Sequence, residues 1–425
     1  MPSFSIPLSG LTASSSALST TANNLANLNT IGYKDEQIQF ADLFYQDFGT
    51  NGAGDPIQQG AGVTVSSKPS DFTQGNVTPT GVSTDVAVMG SGFFVVQKNG
   101  AQSYTRAGNF EVGTDNLLET AAGQQVLGYP AINGVVSTGQ GLGPLALGAG
   151  TISPATVTSK LQMTSNLDAT AAVGTVYAAP QATIYDSLGA SHNITITYTK
   201  TATNTWSYSV SIPAADLNPI SGVPQTGILE TGTLTFDGNG TLISDTQGSG
   251  SAQAPPANIT GIAITGLADG ASNMTFDWNV LNGTTPVVSQ MAGANSTSSI
   301  QQDGRGSGTL VNFSIGSDGT ITGSFSNGKT ATIGQIALAS FADEQGLSHQ
   351  GNNDFTPTLA SGQPTIGGPG TGGLGTISGG ALEQSNVDIA SEFARLIIAQ
   401  RSYEANARVV TTFDQVAQAT IALKQ

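Results

Sequence analysis

The chain has 425 residues, room for two or three domains, and carries 12 Lys and Arg against 28 Asp and Glu, a net charge of -16. That balance excludes nucleic acid or an anionic membrane surface as an electrostatic partner, since both need clustered cations. With no cysteine, disulfides, thiolate metal sites and a cysteine nucleophile are excluded too, and with only 9% of residues charged the surface must be covered by Ser, Thr, Asn, Gln and Gly, as suits an extracellular protein or a polymer subunit.

The opening MPSFSIPLSGLTASSS has neither a basic leader nor a continuous apolar core. Any export is therefore expected to use a route without a cleaved signal peptide. No stretch reaches the ~18 apolar residues of a membrane span, so no membrane insertion is expected. Leu11, Leu18 and Leu25 then recur every seven residues, with Leu8, Ala22 and Leu28 beside them. This reads as an amphipathic helix with a coiled-coil-like seam, stopped by the Asn-rich stretch NNLANLNTIGYK at 23–34. Packing on its own domain's core is the ordinary explanation of such a stripe. Ser, Thr and Asn are mediocre helix formers, however, so this helix is marginal alone and needs a partner surface.

From about Asp47 to Ser378 the helical period disappears and Gly, Thr, Val and Ser dominate. Alternation in ITITYTK (Ile194, Ile196, Tyr198) and TWSYSVSI (Trp206, Tyr208, Val210, Ile212) predicts strands joined by a hairpin at Thr203-Asn204. Asp237-Gly238-Asn239-Gly240, Asp318-Gly319 and Asn327-Gly328 supply further turns. Glycine-rich stretches at 49–62 and 361–380 read as linkers. Near the C-terminus Ile389, Leu396, Tyr403, Val410 and Ala417 again recur every seven residues, with Phe393, Ala407, Phe413 and Ile421 beside them. The simplest arrangement pairs the two ends as an antiparallel helical unit.

Chemistry is sparse. His192 and His349 are the only histidines, and neither has a second His or Cys at a ligand spacing. Surface or turn positions are expected for both, with no metal site and no cofactor. Gly90-Ser91-Gly92 precedes FFVV, a strand rather than a helix, and lacks the lysine of a phosphate loop. Asp303-Gly304-Arg305-Gly306 and Gly351-Asn352-Asn353-Asp354 do not fit a calcium loop. No pair of carboxylates stands out for hydrolysis, and no catalytic residue is expected.

SGLTASSSALSTTANNLANLNTIGYK closely resembles the N-terminal signature of bacterial flagellar rod and hook proteins. The matching positions are Asn23, Asn24, Ala26, Asn27, Thr30, Gly32, Tyr33 and Lys34. FTQGNVTPTG (72–81), STDVAVMGSGFFVV (83–96), YTRAGNF (104–110), residues 308–347 and residues 380–424 resemble later parts of that family, in the right order. The inserted central block favours the hook branch over the rod branch.

The resemblance implies a mainly β chain with α-helical termini, the N- and C-terminal helices paired as a coiled-coil-like unit. Two β-barrel- or sandwich-like domains are expected, the second inserted in the first. The expected boundaries are 1–34 and 380–425 for the helical unit, 35–70 and 355–379 for the linkers, 71–147 and 296–354 for the inner β domain, and 148–295 for the outer one. The implied role is a structural subunit of the flagellar hook, polymerising with itself into a curved hollow tube that joins rod to filament and transmits torque. Rod, hook cap, hook–filament junction proteins and the type III export apparatus are the implied partners, with the product outside the cell at the basal body and hook. Leu11, Leu18, Leu25, Phe393, Leu396, Tyr403, Val410 and Phe413 would form the polymer core interface, ordered only on assembly. Phe4 and Leu8 resemble the family's short export element; one turn of ordinary packing explains them equally well. A distal rod protein, a β-rich extracellular adhesin and a hydrolase in the central block are the competing readings.

Overall fold

The computed structural model describes residues 5–132, 134–148, 150–219 and 225–422. Phe4 of the expected export element lies outside them, whereas Leu8 is an exposed helix residue. The chain divides into two compact units. One comprises residues 1–151, 312–324 and 330–425; the other comprises 152–311 and 325–329 and is inserted in the first.

The first unit is built around the strand Phe93–Lys98. Its run Phe93, Phe94, Val95, Val96 is wholly buried, because both faces of the strand are covered. Phe94 and Val96 join one core with Val86, Phe110, Leu118 and Ile336. Phe93 and Val95 join another with Tyr104, Leu127 and Phe355. The strand pairs antiparallel with Ala101–Thr105 through a two-residue turn, Asn99-Gly100, in which both residues have positive φ. It also pairs with Gln125–Ile132 and Leu338–Ser340.

The chain's two legs leave this unit side by side. Val86–Met89 pairs with Thr376–Gly379, and Val77–Pro79 pairs with Ala381–Glu383. The stretch expected as a second linker is therefore part of the folded unit: Thr365–Gly367 and Thr376–Gly379 are both laddered strands. Glycine leaves the backbone donors and acceptors available, so Gly-rich sequence does not prevent pairing. In the first expected linker, Gln39–Asp42 pairs with Val63–Ser67, and Gln46–Thr50 pairs with Pro56–Gln59 as an exposed hairpin.

The inserted unit has two sheets over one core. In one, Lys160–Asp168 pairs along one edge with two parallel strands in succession, Met274–Asn279 and then Val288–Met291, and along the other edge with antiparallel Ser296–Gln302. In the other, Ser191–Ala202, Thr205–Ser211, Ile228–Phe236 and Leu242–Gln247 form an antiparallel meander. Ile194, Ile196, Tyr198, Trp206, Tyr208 and Val210 alternate into the shared core with Leu161, Met163 and Trp278. The sheets are open and no barrel closes among the described strands. Because Ser296–Gln302 is laddered to Lys160–Asp168, the inserted unit continues past 295, to residue 311. His192, expected at the surface, is buried on the core-facing parity of its strand.

Candidate assembly interface

Two helices carry the chain's ends: α1, Ser5–Ala26, and α2, Ile389–Ala422. Asp388 caps α2, its carboxylate accepting the Ser391 N–H at 2.8 Å. Asn406 lies against Gly10 and Ser14, and Asn24 donates to Glu392 at 3.3 Å. These contacts make the pair antiparallel and within one chain, so pairing of the termini needs no second copy.

The leucine stripe is not the seam. The buried face of α1 is Ala13, Ser14, Thr20, Thr21 and Asn24, whereas Leu11, Leu18 and Leu25 are half-buried at its margin. A Cβ at Gly10 would lie 2.8 Å from the Asn406 Oδ1, so glycine there leaves room for the Asn406 side chain in the seam. On α2 only Glu392 and Ala399 are buried. Leu396, Val410 and Phe413 are half-buried, while Phe393 and Tyr403 are exposed. A partly apolar groove of about 550 Å³ runs beside the seam, lined in part by Ala13, Ala17, Ile38, Ile398 and Ala399.

The signature residues after α1 form a stop and a clamp. Asn23 donates to the Tyr33 hydroxyl at 3.1 Å, and that hydroxyl donates to Asn24 at 3.1 Å. Burial, with Glu36 and Asp35 nearby, pushes the Tyr33 phenol well above its ordinary value. Asn24 also donates to the Asp35 carboxylate and, at 2.8 Å, to the Glu36 carbonyl. Asn27 bonds back to the Asn23 carbonyl at 2.9 Å and accepts from Thr30 at 3.0 Å. Ala26 is exposed. Gly32 sits at φ 68°, where a Cβ would lie 2.7 Å from the Ala107 nitrogen.

Lys34 is the fixed point of this arrangement. Its ammonium donates to Glu383 at 2.7 Å and to the Thr73 carbonyl at 2.8 Å. Arg106 approaches the other Glu383 oxygen at 3.7 Å. All three side chains are almost completely buried. Burial pulls Lys34 below its ordinary pKa against the opposing pull of Glu383. Burial likewise lowers Arg106, and it raises Glu344, which faces both cations. A second set links the segment after α1 to the start of α2: Arg395 bridges Glu392 at 2.6 Å and Asp35 at 3.3 Å. Asn386 accepts from the Asp35 N–H at 2.8 Å and donates to the Asp71 carbonyl at 2.8 Å. The two legs of the chain are thereby fixed to each other and to the β core beneath them.

Family models match along the chain. Residues 6–34 match "Flagella basal body rod protein", 87–166 "Flagellar hook protein FlgE/F/G D1 domain", 154–305 "Flagellar basal body protein FlaE D2 domain", and 378–423 "Flagellar basal body rod FlgEFG protein C-terminal". The flagellar hook protein FlgE of Escherichia coli is 34% identical over 99% of this chain and 100% of its own length. The chain belongs to the flagellar hook protein FlgE family. FlgE of Borreliella burgdorferi is 32% identical over 98% of both chains. The crystal structure of Helicobacter pylori flagellar hook protein FlgE2 matches 72% of this chain and all of that one, at 15% identity and a TM-score of 0.45.

As a FlgE-family chain this is a hook structural subunit, a self-polymerising part of the flagellar axis. Among the described residues its exposed large aromatic side chains all lie on α2 and in the 40–48 segment. Ile389, Phe393 and Ile397 follow at four-residue steps on one flank of α2, each about half exposed. Ile398, Val409 and Val416 lie whole turns apart on the other flank. Phe44, Tyr45, Phe48 and Ile57 add exposed apolar area in and beside the Gln46–Thr50 hairpin. Phe393 flanks the heptad stripe of the sequence, whereas Phe44, Tyr45 and Phe48 do not stand out by periodicity. No described helix is long and apolar enough to cross a membrane.

Proposed function

We propose that α1 and α2, paired within each subunit, form the inner wall of the hook, and that the two apolar flanks of α2 are the contacts between copies. The carrying observation is that α1 covers one strip of α2 and leaves apolar residues exposed on both sides of it. Fully burying one such side chain contributes about 1.5–3 kcal/mol. Six that are already half-covered would add roughly 5–9 kcal/mol gross per subunit, the same order as the cost of association, so complementary apolar surface buried on the neighbouring copy is needed as well. Leu11, Leu18, Leu25, Leu396, Val410 and Phe413, half-buried at the margins, and exposed Tyr403 would be completed by the same neighbours. A non-closing contact of this kind generates a helical tube. The Thr- and Ser-rich β units would then face one another through weak polar contacts that tolerate bending, as torque transmission through a curved joint requires.

A structural role without catalysis or cofactor belongs to the same reading. So do export without a cleaved signal, a location outside the cell, and contacts with rod, cap and junction proteins at the tube's ends. The test is the double variant Phe393→Asp/Ile397→Asp. The purified monomer should keep its circular dichroism spectrum and lose polymerisation in electron micrographs. Polymers of ordinary length from this variant would refute the assignment.

A further inference from the structure

One side-chain constellation in the inserted unit lies outside the helix contacts proposed for assembly. His192, on the strand Ser191–Ala202, is 7% exposed. Asp186, in the turn before that strand, is fully buried. Its Oδ1 accepts the N–H groups of Leu188 and Ala190, at 2.9 and 2.8 Å. That fixes its Oδ2 at 3.2 Å from His192 Nε2. Asp269, from the loop after Leu267, brings an Oδ2 to 3.6 Å from the same nitrogen. On the opposite side of the ring, Asp216 Oδ2 lies 3.2 Å from Nδ1.

Three observations converge. The first is charge: three carboxylates surround one imidazole, and among the described residues no lysine or arginine pairs with any of them. A lone ring, even protonated, offsets one of three negative charges. The second is orientation. Asp216 stands at Nδ1 and Asp186 with Asp269 at Nε2, so a cation bound at Nε2 would leave Nδ1–H to donate to Asp216, the arrangement in which a carboxylate behind a histidine sets its tautomer for metal binding. The third is spacing. Metal–ligand bonds of about 2.0–2.1 Å in a tetrahedron imply ligand–ligand edges of about 3.3–3.4 Å. The two Nε2–oxygen separations, 3.2 and 3.6 Å, bracket that value, and all three ligand atoms lie within 4.8 Å of one another.

We propose that Asp186, His192 and Asp269 bind one divalent transition-metal cation of the Zn²⁺ type, with Asp216 orienting the ring. One imidazole nitrogen with carboxylate oxygens suits such a cation better than the all-oxygen shell of Ca²⁺ or Mg²⁺. The partly exposed rims of Asp216 and Asp269 leave room for water to complete the shell. The cation would tie the 186–190 turn and the 266–272 loop to the strand Ser191–Ala202, with the short helical turn Ala214–Asp216 held to the ring behind it.

The full chain, stripped with EDTA and dialysed against Zn²⁺, should retain a single equivalent by elemental analysis. Co²⁺ should give the visible absorption of a tetrahedral site. Zn²⁺ should also raise the thermal transition followed by tryptophan fluorescence, since Trp206 and Trp278 both lie in this unit's core. Asp269→Asn, at a partly exposed position, should abolish binding and the thermal shift. Asp216→Asn should weaken binding by about tenfold or more. His349→Gln, the other histidine, should change neither. Absence of stoichiometric metal from the wild-type chain would overturn the proposal and leave the ring as an imidazolium between carboxylates. Full retention in Asp269→Asn would overturn it by placing the metal elsewhere.

Discussion

Replacing Glu383 by Gln should destabilise the first unit more than replacing Lys34 by Met. The magnitudes follow from the geometry of the buried triad. At 2.7 Å the Lys34–Glu383 attraction is about 6 kcal/mol for an effective dielectric constant of 20. At 3.7 Å the Arg106–Glu383 attraction is about 4–5 kcal/mol on the same basis. Desolvation of all three groups cancels much of this in the intact protein. Among the described residues Glu383 is the only anion in direct contact with either cation, so Glu383→Gln leaves two positive charges buried. That puts it at the upper end of the usual 3–5 kcal/mol for breaking a buried pair. Lys34→Met removes one cation, but Glu383 keeps Arg106 and the Gly75 N–H at 2.9 Å. The cost should then be near 3 kcal/mol.

Hydrogen exchange read on the strand Phe93–Lys98 would measure these losses, because both tryptophans lie in the other unit. Tryptophan fluorescence then serves as the internal control and should not shift. Equal costs, or costs below about 1 kcal/mol for both variants, would refute the reasoning. They would mean that the pair behaves like a solvated surface bridge.

Gly32→Ala forces a Cβ into the left-handed region against the Ala107 backbone, so a loss of at least about 2 kcal/mol is expected in thermal unfolding. Gly10→Val should push Asn406 aside and separate α1 from α2, seen as faster hydrogen exchange in α1, with a cost of about 1–3 kcal/mol. Asp354→Asn should stabilise. Asp354 is buried, accepts from Gln124 through one oxygen at 2.6 Å and leaves the other without a partner. Burial raises its pKa above the ordinary 3.8, so the folded chain holds that proton more tightly than the unfolded chain. Ionisation therefore costs stability once pH exceeds the folded value, and the cost vanishes below the unfolded one. The variant should gain about 1 kcal/mol at pH 7 and nothing below about pH 4, read from denaturant midpoints across pH.

Much of the fold was legible because side-chain periodicity survives folding. Ile194 to Tyr198 and Trp206 to Ile212 face the core as their alternation demands. The hairpin at Asn204 follows from a residue that accepts positive φ. Legibility failed where the signal was not hydropathy. Ala13, Ser14, Thr20 and Thr21 carry almost no hydrophobic contrast, yet they form the seam because small side chains let helices approach closely. The leucines beside them drew the eye instead. Glycine density suggested linkers at 361–380, although backbone pairing is indifferent to side-chain size. The buried triad was hidden because its members lie at 34, 106 and 383 in sequence. The burial of His192 does follow from sequence position, since it has the same strand parity as Ile194, Ile196 and Tyr198.

The displaced seam bears on how a hook subunit can be stable alone and still polymerise. Had the leucines met one another within the chain, the helix pair would have used its apolar surface internally and presented polar flanks. The small-residue seam holds the pair with little hydrophobic area. The contacts Gly10–Asn406 and Asn24–Glu392 share one antiparallel register, which sets Ser5 opposite Thr411. Val416 and Ile421 are exposed farther along α2. Apolar flanks on a helix whose base is clamped by Lys34, Glu383 and Arg395 present a fixed, incomplete surface. Its completion requires apolar neighbours on two sides, and in a self-polymerising chain the neighbours of that chemistry are further copies.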